Sequence, residues 1–168
     1  MPLAQLQTLP LTALRDVYIR TYLSPPLCPD PEWLSVNLGV VICIECSGQH
    51  RDLSVQFSRI RSIKLDDLHS SELLVARVMG NQLFNEVMEA TLPAGQKPAG
   101  NSPMSEKKNF IYSKYIDRKF VDLSQTDADY TIQHELREAV NCRDIRQLLQ
   151  TYAEGADMCA PLPDRVSL

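Results

Sequence analysis

The chain has 168 residues, a hydrophobic share of 44% and a formal net charge of −4. That length suits one ordinary domain, or one compact domain with part of a second, and the apolar share is enough for a packed core. The acidic total speaks against a general nucleic-acid binder. No apolar run is long enough to span a bilayer, and residues 1–10 lack the basic start and apolar block of a signal peptide, so a cytoplasmic protein is expected.

In chain order, residues 8–23 place Leu9, Leu11, Leu14, Val17, Tyr18 and Tyr22 at roughly helical spacing, and Ser24-Pro25-Pro26 ends that helix. A turn-prone stretch with Pro29, Pro31 and one large aromatic, Trp33, follows. Residues 35–42 are apolar and β-branched with Gly39 inside, and read as one strand entering the pair Cys43 and Cys46. Residues 47–51 open a short helix, and residues 60–65 give a further strand.

Ser70 is the expected N-cap of a helix carrying Leu73, Leu74, Val75 and Val78, with Glu72 placed well against the helix dipole. Gly80 breaks or kinks this helix before a second stretch with Leu83, Phe84, Val87 and Met88. Residues 92–105 are rich in Pro, Gly, Ala and Ser and read as a loop, and helix returns around Phe110, Ile111, Tyr115 and Ile116. Two helices are expected over 132–140 and 145–153, with Gly155 suited to the left-handed position after the second. Residues 161–168 read as a disordered tail.

Of five cysteines, Cys43 and Cys46 form a CxxC pair, while Cys28, Cys142 and Cys159 stand alone. A disulfide framework is not expected in a cytoplasmic chain, and without a thioredoxin-like context the pair reads better as a metal half-site than as a redox centre. Two basic clusters occur. Arg51, Arg59, Arg61 and Lys64 form one, and Lys107, Lys108, Lys114, Arg118 and Lys119 the other. Either would suit anionic headgroups or an acidic partner, although a solvated helix face is the plainer reading of the second.

The segment from Trp33 to Arg51, with Asn37-Leu38-Gly39, Cys43-x2-Cys46, Ser47-Gly48, His50 and Arg51, strongly resembles the core of the ArfGAP zinc-finger family, described by Cys-x2-Cys-x16-Cys-x2-Cys-x4-Arg. The likeness runs on through Gly80-Asn81 and residues 84–89. Glu72-Leu73-Leu74, Lys114-Tyr115-Ile116 and Arg143-Asp144-Ile145 look like the ASAP-type branch, in which ankyrin repeats follow. The resemblance implies an α+β fold: a small zinc-finger core with a short sheet surrounded by helices, then an α-helical ankyrin-like unit that packs on it. The expected layout is an atypical N-terminal segment over 1–27, the ArfGAP-like domain over 28–125, the start of an ankyrin region over 126–159 and a tail over 160–168.

It also implies a GTPase-activating protein, not itself an enzyme, whose partner is an Arf-family GTPase in the GTP state. Arg51 would be the arginine finger supplied in trans, and structural Zn2+ the brace that holds it. Read without the motif, Arg51 is an ordinary surface arginine. Trp33 resembles a family tryptophan and suits partner binding or core packing equally, and Asp66 would either orient Arg51 or cap the next helix. An anionic membrane surface would be met through regions outside this chain.

The sequence departs from the family pattern where the first cysteine pair belongs, because the spacing places those positions on Leu23 and Pro26. Neither binds zinc. Cys28 lies two residues beyond the second position and would substitute after a local shift, with His50 as a further ligand. Ser54 stands where relatives tend to carry glycine, and Gln49 where they tend to carry an apolar residue. Two other readings follow. One is a catalytically silent module or truncated isoform that binds a GTPase or scaffold partner because the first cysteine pair is missing. The other, weaker, is a zinc-dependent nucleic-acid binder.

Overall fold

The computed structural model describes residues 31–123 and 132–163. The helix expected over 8–23, the tail beyond 163, and Leu23, Pro26 and Cys28 lie outside the described residues. Among the described residues there are three strands and five helices: β1 (Trp33–Ser35), β2 (Val40–Ile42), α1 (Ile44–Asp52), β3 (Ile60–Ser62), α2 (Ser70–Met88), α3 (Met104–Tyr115), α4 (Ile132–Cys142) and α5 (Ile145–Glu154). No helix among them is long and apolar enough to cross a membrane.

The strands form one antiparallel sheet in the order β2-β1-β3, with Leu34 opposite Val41 on one side and Arg61 on the other. The single strand expected over 35–42 is therefore a hairpin. Its turn is closed by Leu38 and Gly39 N–H groups donating to the Ser35 carbonyl, at 3.2 and 2.8 Å. Val36 and Leu38 are both buried, so the apolar run continues unbroken through the turn and hides it.

Gly39 has φ +70°, and a Cβ there would lie 2.8 Å from both Met79 Cβ and the Val75 carbonyl oxygen. The turn thus seats directly on α2. That helix is kinked at Gly80, as the sequence suggests, with φ 63° and ψ 165°, a conformation open essentially to glycine alone. The kink lets the next residue, Asn81, reach β2. Its Oδ1 accepts from Val41 N–H (2.7 Å) and its Nδ2 donates to the Val41 carbonyl (2.8 Å), which serves the edge strand in place of another chain. The helix begins one residue earlier than expected, with His69 as the cap and its N–H donating to Glu72 (2.8 Å).

Helices α4 and α5 pack against each other, and α5 packs on α2. Asp144 caps α5 by accepting from Gln147 N–H (3.0 Å), and Gly155 ends it in the left-handed conformation. Leu149 and Ala153 of α5 join Leu38, Val40, Phe84, Val87, Met88 and Val121 in one core. The helical pair therefore shares its interior with the sheet-containing part.

The second basic cluster is a charged surface only in part, at the exposed Lys108 and Lys119. Lys107 is buried, donating to Glu45 (2.8 Å) and the Gly100 carbonyl (2.6 Å). Lys114 is buried between Asn85 (2.5 Å) and Glu89 (2.7 Å), and burial lowers its pKa to about 8 despite Glu89. Burial alone would raise the Glu89 carboxyl, yet Lys114 and Lys97 hold it below the usual range. Arg118 donates to the Tyr152 carbonyl (2.7 Å) and stacks on that ring, which ties the loop after α3 to α5.

Candidate functional site

The CxxC pair straddles the start of α1. Cys43 is its N-cap, and the Cys43 Sγ accepts from Cys46 N–H at 3.4 Å. Both cysteines are buried beside Ile111 of α3, and neither is in a disulfide. The helix thus begins before the second cysteine rather than after it, and Arg51 falls in its last turn rather than its first. A cation there is favoured by the helix dipole.

Arg51 is exposed, and its guanidinium carbon lies 4.6 Å from the centroid of the Trp33 ring on β1. Trp33 is itself half-buried. A cation–π contact of this kind contributes about 0.5–2 kcal/mol, enough to bias a long side chain without fixing it. Asp66 does not share in this arrangement. Its Oδ2 accepts from Ser62 N–H (2.6 Å), closing the turn after β3. The expected pairing of Asp66 with Arg51 is absent, and the cap of the next helix is His69.

His50, the residue before Arg51, points inward and is 1% exposed. Its Nδ1 is 2.9 Å from Ser58 Oγ, which is 2.8 Å from Ser35 Oγ on β1. Ser35 donates in turn to Asn37 Oδ1 (3.2 Å), an atom that also accepts from Arg59 N–H (2.8 Å), while Asn37 Nδ2 donates to the Phe57 carbonyl (3.1 Å). The Tyr115 ring of α3 packs edge-on against His50 at 4.5 Å. Burial, then the Lys114 charge, lowers the His50 pKa to about 3 and keeps the imidazole neutral. The motif predicts a notable histidine here, but the partners Ser35 and Ser58 lie 15 and 8 residues away and carry no sequence signal of their own.

Structural zinc sites take four tetrahedral ligands. Among the described residues no cluster of three or more His, Cys, Asp or Glu side chains could hold a metal, so Cys43 and Cys46 supply half a site and His50 does not complete it. Cys28, the expected substitute, lies outside the described residues. The residues described do not fit a zinc finger's full ligand set.

Val55 and Phe57, just past Arg51 in the chain, and Ile44, at the start of α1, are exposed, and a cleft of about 300 Å3 opens between α1 and α3, lined by Leu53, Phe57, Ile111 and Tyr112 among others. The turn after α1 contains Ser54 at φ 83°, the left-handed conformation that glycine takes without penalty.

A small sheet with a CxxC-started helix ending in an exposed arginine defines a class. The ArfGap family profile, described as "Putative GTPase activating protein for Arf", matches residues 27–124, more than half of the chain. The chain belongs to the ArfGap family. The Arf-GAP with coiled-coil, ANK repeat and PH domain-containing protein 2 of Rattus norvegicus is 41% identical over 118 residues, which are 70% of this chain and 15% of that protein. The ADP-ribosylation factor GTPase-activating protein AGD2 of Arabidopsis thaliana is 34% identical over 162 residues, 86% of this chain and 21% of that protein. The chain thus spans about a fifth or less of these relatives. The ArfGap domain of human RIP superposes with TM-score 0.57 at 20% identity, covering 72% of this chain and 93% of that domain. Likeness at that identity establishes a shared fold.

Proposed function

We propose that the chain is a GTPase-activating domain for an Arf-family GTPase in the GTP state, and that Arg51 is the finger it inserts into the partner's nucleotide site. The observation that carries this reading is the exposed Arg51 at the end of α1, held over Trp33 in a family of GTPase activators. As GTP is hydrolysed, negative charge grows on the phosphoryl oxygens and the leaving group. A guanidinium stays protonated, offers a planar fork of donors, and in trans is worth about 10³–10⁵ in rate for GTPases.

Trp33 presents one face to Arg51 and lies at the edge of the exposed surface, which suits a residue shared between positioning the finger and touching the partner. The exposed Ile44, Val55 and Phe57 supply apolar area for a protein interface. The chemistry takes place in the partner's site, so this chain acts as an activator without a substrate pocket of its own. Residues 28–125 form the activating unit in this reading. Residues 126–159 form a first ankyrin-like unit in this reading, supported by the packed α4–α5 pair and its glycine exit turn. A cytoplasmic protein acting at membrane surfaces through regions outside this chain fits such a role.

The test is single-turnover GTP hydrolysis on purified Arf. The wild-type chain is expected to accelerate hydrolysis at least a hundredfold, and Arg51→Ala to remove nearly all of that while still binding Arf·GTP. A folded chain that leaves the rate unchanged would sink the reading.

A further inference from the structure

We infer that Arg51 is positioned in this chain by the hydrogen-bonded chain His50–Ser58–Ser35–Asn37, buried from His50 to Ser35, and not by a four-ligand metal site at the other end of the helix. This rests on the reading of Arg51 as the working residue. The direction of every proton in the chain follows from its far end. Asn37 Nδ2 donates to the Phe57 carbonyl and Arg59 N–H donates to Asn37 Oδ1, so the amide orientation is fixed and Oδ1 is an acceptor. Ser35 must therefore give its hydroxyl proton to Asn37, which leaves it to accept from Ser58. Ser58 has then spent its own proton and accepts from His50, so His50 carries its proton on Nδ1.

His50, Ser58 and Ser35 are buried, where a lost partner costs about 1–3 kcal/mol, and Asn37 ends the chain at the exposed surface. The chain joins α1 to β1 and to the segment leading into β3, while Tyr115 closes it from α3. It acts where it is needed. His50 and Arg51 are adjacent, whereas Cys43 lies eight residues back, about 12 Å along the helix at 1.5 Å per residue. Fixing the N-terminus of α1 leaves its last turn free to fray, and His50–Ser58 with Arg51–Trp33 holds that turn. The positions where the family spacing puts the first cysteine pair hold Leu23 and Pro26, whose side chains carry no ligand atoms.

Trp33 is the chain's single tryptophan, so its fluorescence reads the Arg51 stacking directly and without any GTPase. The experiment compares emission and acrylamide quenching of the full chain, Arg51→Ala, Ser58→Ala and Ser58→Thr, each with and without a zinc chelator. Circular dichroism confirms folding of each variant.

Ser58→Ala is expected to move Trp33 emission and quenching most of the way to the Arg51→Ala values, and Ser58→Thr, which keeps the hydroxyl, to return most of that shift. Chelator is expected to change nothing in the wild type. In the GTPase assay, Ser58→Ala is expected to lower the maximal rate at least tenfold with half-saturation within twofold.

Two results overturn the inference. One is a folded Ser58→Ala with wild-type Trp33 emission. The other is stoichiometric zinc whose removal shifts that emission, which would mean that Cys28 completes a metal site. Wild-type fluorescence behaving as expected in a chain that never accelerates GTP hydrolysis would refute the function and leave the positioning intact. Should Ser58→Ala fail to fold, a ¹⁵N spectrum of the wild type decides: a His50 proton on Nε2 contradicts the chain's direction.

Discussion

Replacing Gly39 with alanine tests the contact that joins the hairpin to α2. Two costs add. The residue has φ +70°, and a non-glycine residue in the left-handed region costs about 1–2 kcal/mol. The new Cβ would lie 2.8 Å from Met79 Cβ and the Val75 carbonyl oxygen and 3.2 Å from Ala76 Cα. Two of these atoms are helix backbone, so relief requires moving the hairpin off α2, and overpacking of that kind costs about 1–3 kcal/mol. The sum is about 2–5 kcal/mol, a large part of the 5–15 kcal/mol typical of a domain. At about 2 kcal/mol per molar urea, the unfolding midpoint would fall by about 1–2.5 M.

Gly95→Ala is the control, because Gly95 has φ +82° with nothing within 4 Å of its would-be Cβ. It carries the backbone cost alone, and its midpoint should fall by about 0.5–1 M. Urea unfolding followed by circular dichroism measures both. Equal effects for the two glycines would show that the hairpin does not press on α2 and would refute the packing argument.

The same backbone logic gives the opposite sign at Ser54, whose φ is 83°. Ser54→Gly removes about 1–2 kcal/mol of strain and returns part of it through the larger entropy of unfolded glycine, so a gain of about 1 kcal/mol is expected, read as a melting temperature about 2–4 °C higher. Acid sensitivity follows from His50. Burial and Lys114 lower its pKa from 6.5 to about 3, so the unfolded chain takes up a proton below 6.5 that the folded chain refuses. Stability is fully present above pH 6.5 and lost as pH falls toward 3, with this group contributing about 1.4 kcal/mol per pH unit. Urea unfolding between pH 7 and 5 should show a slope that His50→Asn reduces by about that amount, and an unchanged slope would place a charged imidazole in the core.

Features with a local cause were legible in the sequence. Gly80 kinks α2 and Gly155 ends α5, because each position needs a conformation that other residues resist. The CxxC pair and Arg51 were found through a motif, which fixes spacing and not surroundings. Contacts between distant residues were not legible. Lys107 and Lys114 read as surface charge because their carboxylates, Glu45 and Glu89, lie 62 and 25 residues away. Asn81 braces Val41 across 40 residues, and its one local hint is that it follows the kinking glycine.

Two of the departures from the family pattern, Gln49 and Ser54, fall at one end of α1, which bears on how much that end can tolerate. Besides the strained Ser54, Gln49 places its Oε1 in a buried position without a hydrogen-bond partner, in the wall of the cleft between α1 and α3. An unsatisfied buried acceptor costs about 1–3 kcal/mol and the left-handed serine about 1–2 kcal/mol. Both costs fall within three residues of Arg51, so the last turn of α1 is locally disfavoured on two counts. It persists because His50 and Ser58 bond beneath it and Arg51 stacks on Trp33 beside it. Losing either contact should therefore be felt first as disorder of Arg51, before the fold as a whole gives way.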